Sequence, residues 1–168
     1  LPSCCRFLDW PRRDFPAADL KQFLGLAKAS GDRITVAHSG IGGPAGLCSL
    51  LLQSAIGVKF TSVQYKGNAL ALNDVLGGQG DMLCDSSSTT ARHITAGKVK
   101  AFGLTSRTRL PTLPGVPTLE EQGLKGFELL PWTAMYAPKG TPRPVVERLV
   151  AALQAGLSDP DLLSYYEK

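Results

Sequence analysis

The sequence lacks several features that identify common functional classes. None of its 168 residues belongs to an apolar run of the 18 or so residues that a membrane-spanning helix needs. Lysine and arginine form no cluster, aromatic residues make up only 7% of the chain, and the net charge is +4, so a nucleic-acid-binding groove is not indicated. The composition, 43% hydrophobic and 19% charged, is that of a globular protein. The length suits one domain or two small lobes.

Cysteine is scarce, and its spacing excludes the usual metal-binding motifs. Cys4 and Cys5 are adjacent, whereas Cys48 and Cys84 stand singly in apolar segments. No CxxC pair is present, so we predict no metal site and no cofactor held by thiolates. Cys48 and Cys84 are interpreted as buried, unreactive thiols.

The motifs of nucleotide binding are incomplete. A glycine-rich stretch, AHSGIGGPAG, follows a strand-like alternation, but Gly40, Gly42 and Gly46 are spaced G-x-G-x-x-x-G. The dinucleotide fingerprint requires G-x-G-x-x-G and an acidic residue about 20 positions later, where this chain has Gln64 or its neighbours. The lysine of a P-loop is also missing. A nucleotide cofactor is therefore not predicted.

The sequence also gives little evidence for a catalytic site. The sequence has no Gly-x-Ser-x-Gly nucleophile motif and no carboxylate pair at a useful spacing. His38 and Ser39 are neighbours, which does not by itself make a base and a nucleophile. His93 is typical of a surface or helix-capping group. Asp85 is either a general acid or base, or a carboxylate that accepts backbone N–H groups and shapes its loop. We predict that the protein is not an enzyme.

The sequence does contain a repeated alternation of strand and helix signals. Strands are predicted at 33–38, 58–64, 81–84 and 99–105, and helices begin near Asp19, at Pro44, after Gly67 and in a Ser/Thr cluster at 86–90. This pattern predicts an α/β fold with a mixed, mostly parallel sheet flanked by helices on both faces. A proline-rich segment follows, in which Thr118 and Glu121 form a capping-box pattern that predicts a short helix. A further helix is predicted to carry Val145, Val146, Leu149, Val150 and Leu153.

Three loops at the carboxyl ends of the predicted strands are candidates for a binding site. They lie at 38–43, 65–68 and 85–90 and are rich in Gly, Ser and Thr. In an open parallel sheet, ligands bind at this edge, and helix N-termini there favour an anion. A carboxylate or phosphate is therefore the expected ligand. The alternative is that the glycines only permit tight turns and close helix packing.

Several motifs together resemble one known family. They are the YKG of the second loop, DVLGGQ, HITAGK, the run LPTLPGVPTLEEQGLKGFE and APKGTPRPVV. These residues resemble the tripartite tricarboxylate transporter receptors, or Bug-type proteins, over about residues 16–161. The resemblance implies a two-lobed fold of the type II periplasmic-binding-protein class. It further implies an extracytoplasmic solute receptor of Gram-negative bacteria that closes on a small carboxylate and delivers it to membrane transporter components. Family ligands are di- and tricarboxylates, acidic amino acids and aromatic acids.

The resemblance also implies which residues form the site. Ligand-binding residues are expected at Ser39, Gly40, Ile41, Gly42, Gly43, Asp85, Ser86 and Ser87. Cleft-edge residues are expected at His38, Tyr65, Lys66, Gly67 and Ser88. No cofactor and no metal are implied.

The chain departs from the family pattern in four ways. Family members are nearly twice as long, and their first Gly-rich turn, which supplies half of the carboxylate site, has no counterpart here. Their usual apolar lead-in does not match the start of this chain, and a polar residue, commonly His, often stands where this chain has Gly46. We therefore expect an atypical segment at 1–17, a ligand-binding lobe at 18–112, and a crossover with a partial return to the other lobe at 113–168.

The sequence leaves two other functions open. The chain could be a truncated remnant with little ligand binding. It could also be the effector-sensing domain of a regulator, although the sequence contains no helix-turn-helix module. Apolar residues from Phe127 to Tyr136 predict a homodimer surface. A lone lobe is expected to bind carboxylates weakly, because closure against a second surface supplies the remaining donors and excludes water.

Overall fold

A computed structural model describes the backbone of residues 7–11, 13–130 and 134–167, and most of the side chains from residue 13 onward. The chain divides near residue 131 into two compact units. The larger unit contains strands β1 (Phe7–Pro11), β2 (Thr35–His38), β3 (Thr61–Gln64), β4 (Met82–Ser86) and β5 (Gly103–Leu104). Its helices are α1 (Leu20–Ser30), α2 (Pro44–Ile56), α3 (Asn68–Leu76) and α4 (Ser87–Thr95). The other unit contains α5 (Arg143–Leu157) and α6 (Pro160–Glu167).

The five strands form one mixed sheet in the order β3-β2-β4-β1-β5. β2 pairs in parallel with β3 and with β4, so that Ala37 lies opposite Val63 on one side and Leu83 on the other. β1 runs antiparallel to both β4 and β5. Four of the five strands therefore point in the same direction, as the strand–helix alternation predicts.

The strand β1 is a feature that the sequence pattern did not indicate. Its backbone pairs Leu8 with Asp85 of β4 and Asp9 with Gly103 of β5. A short strand inserted between two others is covered on both edges, and its residues need not alternate between apolar and polar. For that reason FLDWP shows no clear period in the sequence.

Two apolar cores lie on the two faces of the sheet. On one face, Val36 and Met82 pack with residues of α1 and α2, including Phe23 and Leu52. On the other face, Ala37 and Leu83 pack with α3 residues such as Val75. Neighbouring residues of a strand point to opposite faces, so β2 and β4 each contribute to both cores. The prediction of helices on both faces is confirmed.

The helix boundaries follow local chemistry. The Asp19 side chain accepts the Gln22 N–H at 2.8 Å and caps α1. Pro44 is the first residue of α2, and Gly57 ends that helix with a left-handed φ of 69°. Gly31, by contrast, follows α1 in a right-handed conformation. A Cβ there would lie 2.1 Å from Val58 Cγ1, so this glycine permits close packing.

The proline-rich segment differs from its prediction. Thr118 and Glu121 make both hydrogen bonds of a capping box, at 2.7 and 3.1 Å, but turns follow and no helix forms. Leu104 donates to Pro117 O and accepts from Leu119 N, each at 2.9 Å. This pairing holds the segment against β5, and it ties up the Leu119 amide. The strand predicted at 99–105 is correspondingly reduced to two residues.

The crossover is partly packed within the larger unit. Phe127 is only 9% exposed and joins the core on the α1 face, and Leu129 packs against Ala45 and the two cysteines. Leu130, Met135 and Tyr136 are exposed, and Trp132 lies outside the described residues. The predicted dimer surface is therefore smaller than the sequence indicates, and the homodimer stays a prediction.

The second unit consists of the two C-terminal helices. α5 confirms the predicted helix, and its apolar side chains at Val145, Leu149, Val150, Leu153 and Leu157 are exposed. Pro142 caps its start and Ser158 its end.

The interpretation of Cys48 and Cys84 as free thiols is wrong. The two residues form a disulfide that joins α2 to β4, with Cα atoms 6.3 Å apart. They are 36 positions apart in the sequence, and only the parallel pairing of β2 with β4 brings the first turns of α2 over β4. Disulfides of this kind persist in oxidising compartments.

Reducing this disulfide should destabilise the larger unit. Because the bond closes a loop of 36 residues, its loss should lower the free energy of unfolding by roughly 2–4 kcal/mol. Urea unfolding with and without a phosphine reductant measures the difference. The double variant Cys48→Ser/Cys84→Ser is the control, and its unfolding midpoint should not respond to reductant. Equal midpoints for the oxidised and reduced protein would contradict the expectation.

Candidate functional site

The candidate site lies at the carboxyl edge of the three neighbouring parallel strands. β2 ends at His38, level with Gln64 at the end of β3, and β4 ends at Ser86. The structure thereby brings the three predicted loops to one edge of the sheet. Backbone and side-chain bonds join them in pairs: Tyr65 N–H donates to His38 O at 2.9 Å, and Asn68 Nδ2 donates to Asp85 Oδ1 at 2.5 Å.

His38 shapes the glycine-rich turn that follows β2. Its side chain is only 2% exposed, and its Nδ1 accepts the Gly40 N–H at 3.1 Å. An accepting Nδ1 carries no proton, so in the neutral ring Nε2 carries it and donates to Ser62 Oγ at 2.5 Å. The histidine therefore joins the turn to β3. This contact, which sequence reasoning missed, gives His38 a positioning role.

Close packing against α2 also fixes this turn. A Cβ on Gly46 would lie 2.3 Å from Gly40 O and 2.9 Å from both Ile41 Cα and Ile41 O. Gly40 itself has a φ of 140°, and its carbonyl accepts the Gly43 N–H at 3.2 Å. The turn folds back onto the first turn of α2 because position 46 has no side chain. Ile41 and Gly42 are exposed at its tip.

Three helices begin at this edge, and together they favour an anion. α2 begins at Pro44, α3 at Asn68 and α4 at Ser87, directly after the three loops. The first amide groups of a helix have no partner within it, and the helix dipole adds about half a positive charge at that end. Lys66 is exposed in the second loop and adds a formal charge. The edge can therefore accept a carboxylate or phosphate.

Tyr65 of the second loop lies against α3, the helix that follows this loop. A hydrogen bond to Asp74 is the main cause that raises the pKa of the Tyr65 phenol, and burial and the negative charge of Asp74 add to it. Tyr65 is half-buried, and Gly67 precedes α3 in an extended conformation. The structure thus places Tyr65 against α3.

Asp85 shapes its loop, as one of the two interpretations of this residue predicts. The side chain is fully buried, and its Oδ1 accepts the Ser86 N–H at 2.7 Å as well as the Asn68 amide. Burial is the largest cause acting on the Asp85 carboxyl and raises its pKa, and the bonds from Ser86 and Asn68 oppose that rise. Asn68 lies in the second predicted loop, but the sequence did not indicate its contact with Asp85.

The serines of the third loop differ in exposure. Ser87 is 6% exposed and is turned inward, whereas Ser88 is exposed and its Oγ lies 2.8 Å from Ser86 Oγ. The Ser86 carbonyl accepts the Thr90 hydroxyl at 2.9 Å. Ser86 and Ser88 therefore form the accessible hydroxyl pair at the start of α4. His93 lies in the last turn of α4, far along the helix from this edge.

Each of the three loops of the candidate site has an exposed residue, namely Ile41, Lys66 and Ser88. Two surface depressions, of about 440 and 540 Å³, are lined by other parts of the chain, near Gly77 and near Gly126. Among the described residues, no group of three His, Cys, Asp or Glu side chains could hold a metal ion. Within those same residues, no helix is long and apolar enough to cross a membrane.

Comparison with known proteins identifies the family. The model of the tripartite tricarboxylate transporter family receptor matches residues 9–168. The chain belongs to this receptor family. The match extends from within β1 to the last residue, and it confirms the resemblance carried by the sequence motifs.

Individual relatives agree with this membership. A UPF0065 protein from the TAR-I ttuE-ttuC' intergenic region of Agrobacterium vitis is 39% identical over 155 residues, which are 92% of this chain and 45% of that protein. The periplasmic binding protein BugD is 45% identical, with a TM-score of 0.91 over 98% of this chain and 55% of BugD. MatC from Rhodopseudomonas palustris, solved with bound malate, is 35% identical with a TM-score of 0.91, over 97% and 55% of the two chains.

The structural matches confirm an α/β fold of the periplasmic-binding-protein class. The chain spans about half the length of the receptor-family relatives that it matches.

Substituting Gly46 should disturb the glycine-rich turn that follows β2. Gly46→Ala places a Cβ against backbone atoms of Gly40 and Ile41, which cannot rotate away. We expect a loss of about 1–3 kcal/mol in the free energy of unfolding and shifted amide resonances at 39–43. Gly42→Ala is the matched control, because no atom lies within 4 Å of its Cβ position. Equal behaviour of the two variants in urea unfolding would argue against this packing.

Replacing His38 should loosen the same turn. His38→Ala removes the acceptor of the Gly40 N–H, so the Gly40 amide should exchange with solvent faster. His38→Asn should restore much of the protection, since an Asn Oδ1 can occupy the position of Nδ1. Ser62→Ala removes only the contact at Nε2 and is the control. Hydrogen exchange followed by NMR reports the Gly40 amide directly, and no difference between His38→Ala and the wild-type chain would refute the role.

Proposed function

We propose that this chain forms one ligand-binding lobe of an extracytoplasmic solute receptor that binds a small carboxylate. The observation that carries the proposal is the meeting of three helix N-termini at one sheet edge, within a chain that belongs to the tripartite tricarboxylate transporter receptor family. Unpaired amide groups and aligned dipoles stabilise a carboxylate without a buried cation.

The proposed contacts are those of the three loops. The Gly40 and Gly43 N–H groups are bonded within the turn, so the backbone N–H groups of Ser39, Ile41 and Gly42 and of the first turn of α2 would bind one carboxylate group. The hydroxyl groups of Ser86 and Ser88 are the accessible side-chain donors at α4. Ser87 and Asp85 are buried, so they act on a ligand through the shape of their loop.

The ligand class that we propose is a small dicarboxylate, with other di- or tricarboxylates, acidic amino acids and aromatic acids as the alternatives within the family. Malate is bound to MatC, whose structure is similar to this chain over 97% of its length. Malate is therefore the first ligand to test. The support for malate within this chain is the sheet edge at which three helix N-termini favour an anion.

The proposed location is the periplasm, and the proposed partners are the membrane components of a tripartite carboxylate transporter. The Cys48–Cys84 disulfide supports an oxidising compartment. The similar protein BugD is described as a periplasmic binding protein. No nucleic-acid partner is proposed.

Binding of malate to the chain alone should be weak but located at this edge. Because one lobe supplies only one side of a cleft, we expect a Kd in the range of about 1 mM, which corresponds to roughly −4 kcal/mol. Titration of the ¹⁵N-labelled chain should shift the amide resonances of 39–43 and of the first turns of α2, α3 and α4. The neutral diamide of malate is the control ligand, and it should produce no such shifts.

Several results would contradict the proposal or the expected affinity. Shifts at other surfaces, or equal shifts with the diamide, would exclude a carboxylate site at the strand ends. No shift at any malate concentration would favour a remnant with little ligand binding. Micromolar affinity for a proven monomer would instead contradict the expectation that one lobe binds weakly.

A further inference from the structure

Two buried acceptor oxygens at the candidate site have no hydrogen-bond partner. They are Asp85 Oδ2 and Asn68 Oδ1, and neither is open to solvent. The same two side chains are already joined through their other polar atoms, since Asn68 Nδ2 donates to Asp85 Oδ1 at 2.5 Å. A buried acceptor without a donor is unfavourable, and a buried carboxylate with a free oxygen is more so.

A single proton on Asp85 would allow the two oxygens to pair with each other. An ionised carboxylate only accepts, and so does an amide oxygen, so neither can serve the other while Asp85 is charged. Once Oδ2 carries a proton it becomes a donor, and the acceptor left on the joined side chain is Asn68 Oδ1. In that state the two side chains would exchange two hydrogen bonds in opposite directions. Neither oxygen is exposed to bulk solvent, so a donor within the protein is the partner to consider first.

We propose that Asp85 and Asn68 share one proton as a carboxylic acid–amide pair, and that Asp85 is thereby a neutral positioning residue for the ligand-facing starts of α3 and α4. Asn68 is the first residue of α3. Ser86, whose N–H binds the same carboxyl, caps α4. The pair therefore joins the first turns of two of the three helices that form the edge.

The environment of the pair agrees with a neutral acid. Burial is the main cause that raises the pKa of Asp85. The titratable or charged residues on the elements and the loop around it are His38 on β2, Asp9 on β1, Tyr65 and Lys66 before α3, Asp74 on α3, and Arg92 and His93 on α4. α2 carries no charged residue. Among the side chains that the structure describes, none of these forms an ion pair with Asp85.

The consequence for binding rests on the proposed function. A negative Asp85 behind the starts of α3 and α4 would oppose the positive potential that favours a carboxylate ligand. The neutral pair removes that charge and keeps the helices in place. Malate binding should therefore weaken several-fold as the pH rises through the raised pKa of Asp85.

The direct test is a titration of the full chain without ligand. The side-chain carboxyl ¹³C resonance of Asp85, followed by NMR, should change above the ordinary aspartate value of about 3.9. An Asp85 resonance that changes within the ordinary aspartate range, at about pH 3.9, overturns the proposal, and this measurement needs no variant to fold.

Variants provide a second readout. In Asp85→Asn the new amide can donate to Asn68 Oδ1 and accept from Ser86 N–H, as the acid does, whereas Asp85→Ala can do neither. For a raised pKa the native state binds the proton more tightly, so this contribution to stability is complete below about pH 3.9 and is lost as the pH rises through the raised value. Urea unfolding across that window should show a decline for the wild-type chain that is absent from Asp85→Asn. Asp85→Ala should be less stable than Asp85→Asn at every pH.

The outcomes separate this inference from the proposed function. If Asp85→Asn is as unstable as Asp85→Ala throughout the window, the acid–amide pair is refuted. If Asp85 titrates high but malate binds at no pH, the pair stands and the proposed function fails. If malate binds with an affinity independent of pH across the Asp85 titration, the positioning role in binding is refuted.

Discussion

The parallel pairing of β2 with β3 and β4 is the constraint on which the candidate site depends. It sets the ends of the three strands at one edge, and each strand passes directly into a loop and then a helix. Three partial positive charges are therefore assembled without any buried lysine or arginine. An antiparallel arrangement would alternate helix starts and helix ends at each edge, and their dipoles would oppose one another.

Bonds between neighbouring elements hold this edge in one arrangement. The disulfide fixes α2 to β4, His38 ties the glycine-rich turn to β3, and the Asp85–Asn68 contact ties α3 to β4. These links connect residues between 17 and 36 positions apart in the sequence. Each one acts within the first turns of a helix or on the turn before it, so disturbing any of them should shift the anion-favouring amides.

The family membership of the chain is consistent with the exposure of the three loops at the strand ends. The chain spans about half of the length of its relatives, and each of the three loops has exposed residues. A ligand on such an edge remains solvated on one side. Water competes for its charge there, and electrostatic contacts are correspondingly weaker than in a site from which water is excluded.

The sequence by itself determined the features that depend on local chemistry. Proline at the first position of α2, glycine at its end, the aspartate cap of α1 and the four strand–helix alternations are read from neighbouring residues, and with them the α/β class and the three loops. The capping box of Thr118 and Glu121 makes both predicted hydrogen bonds, yet turns rather than a helix follow it.

Only the tertiary structure decided which distant residues meet. The disulfide, the antiparallel insertion of β1, the contact of Gly46 with the turn and the pairing of Asp85 with Asn68 all join segments that the sequence spacing leaves unrelated. Their chemistry follows from proximity and burial, which are properties of the packed sheet and its helices. The sequence does not show whether a cysteine has a second cysteine beside it. It also does not show whether the oxygens of an aspartate contact water or a single amide.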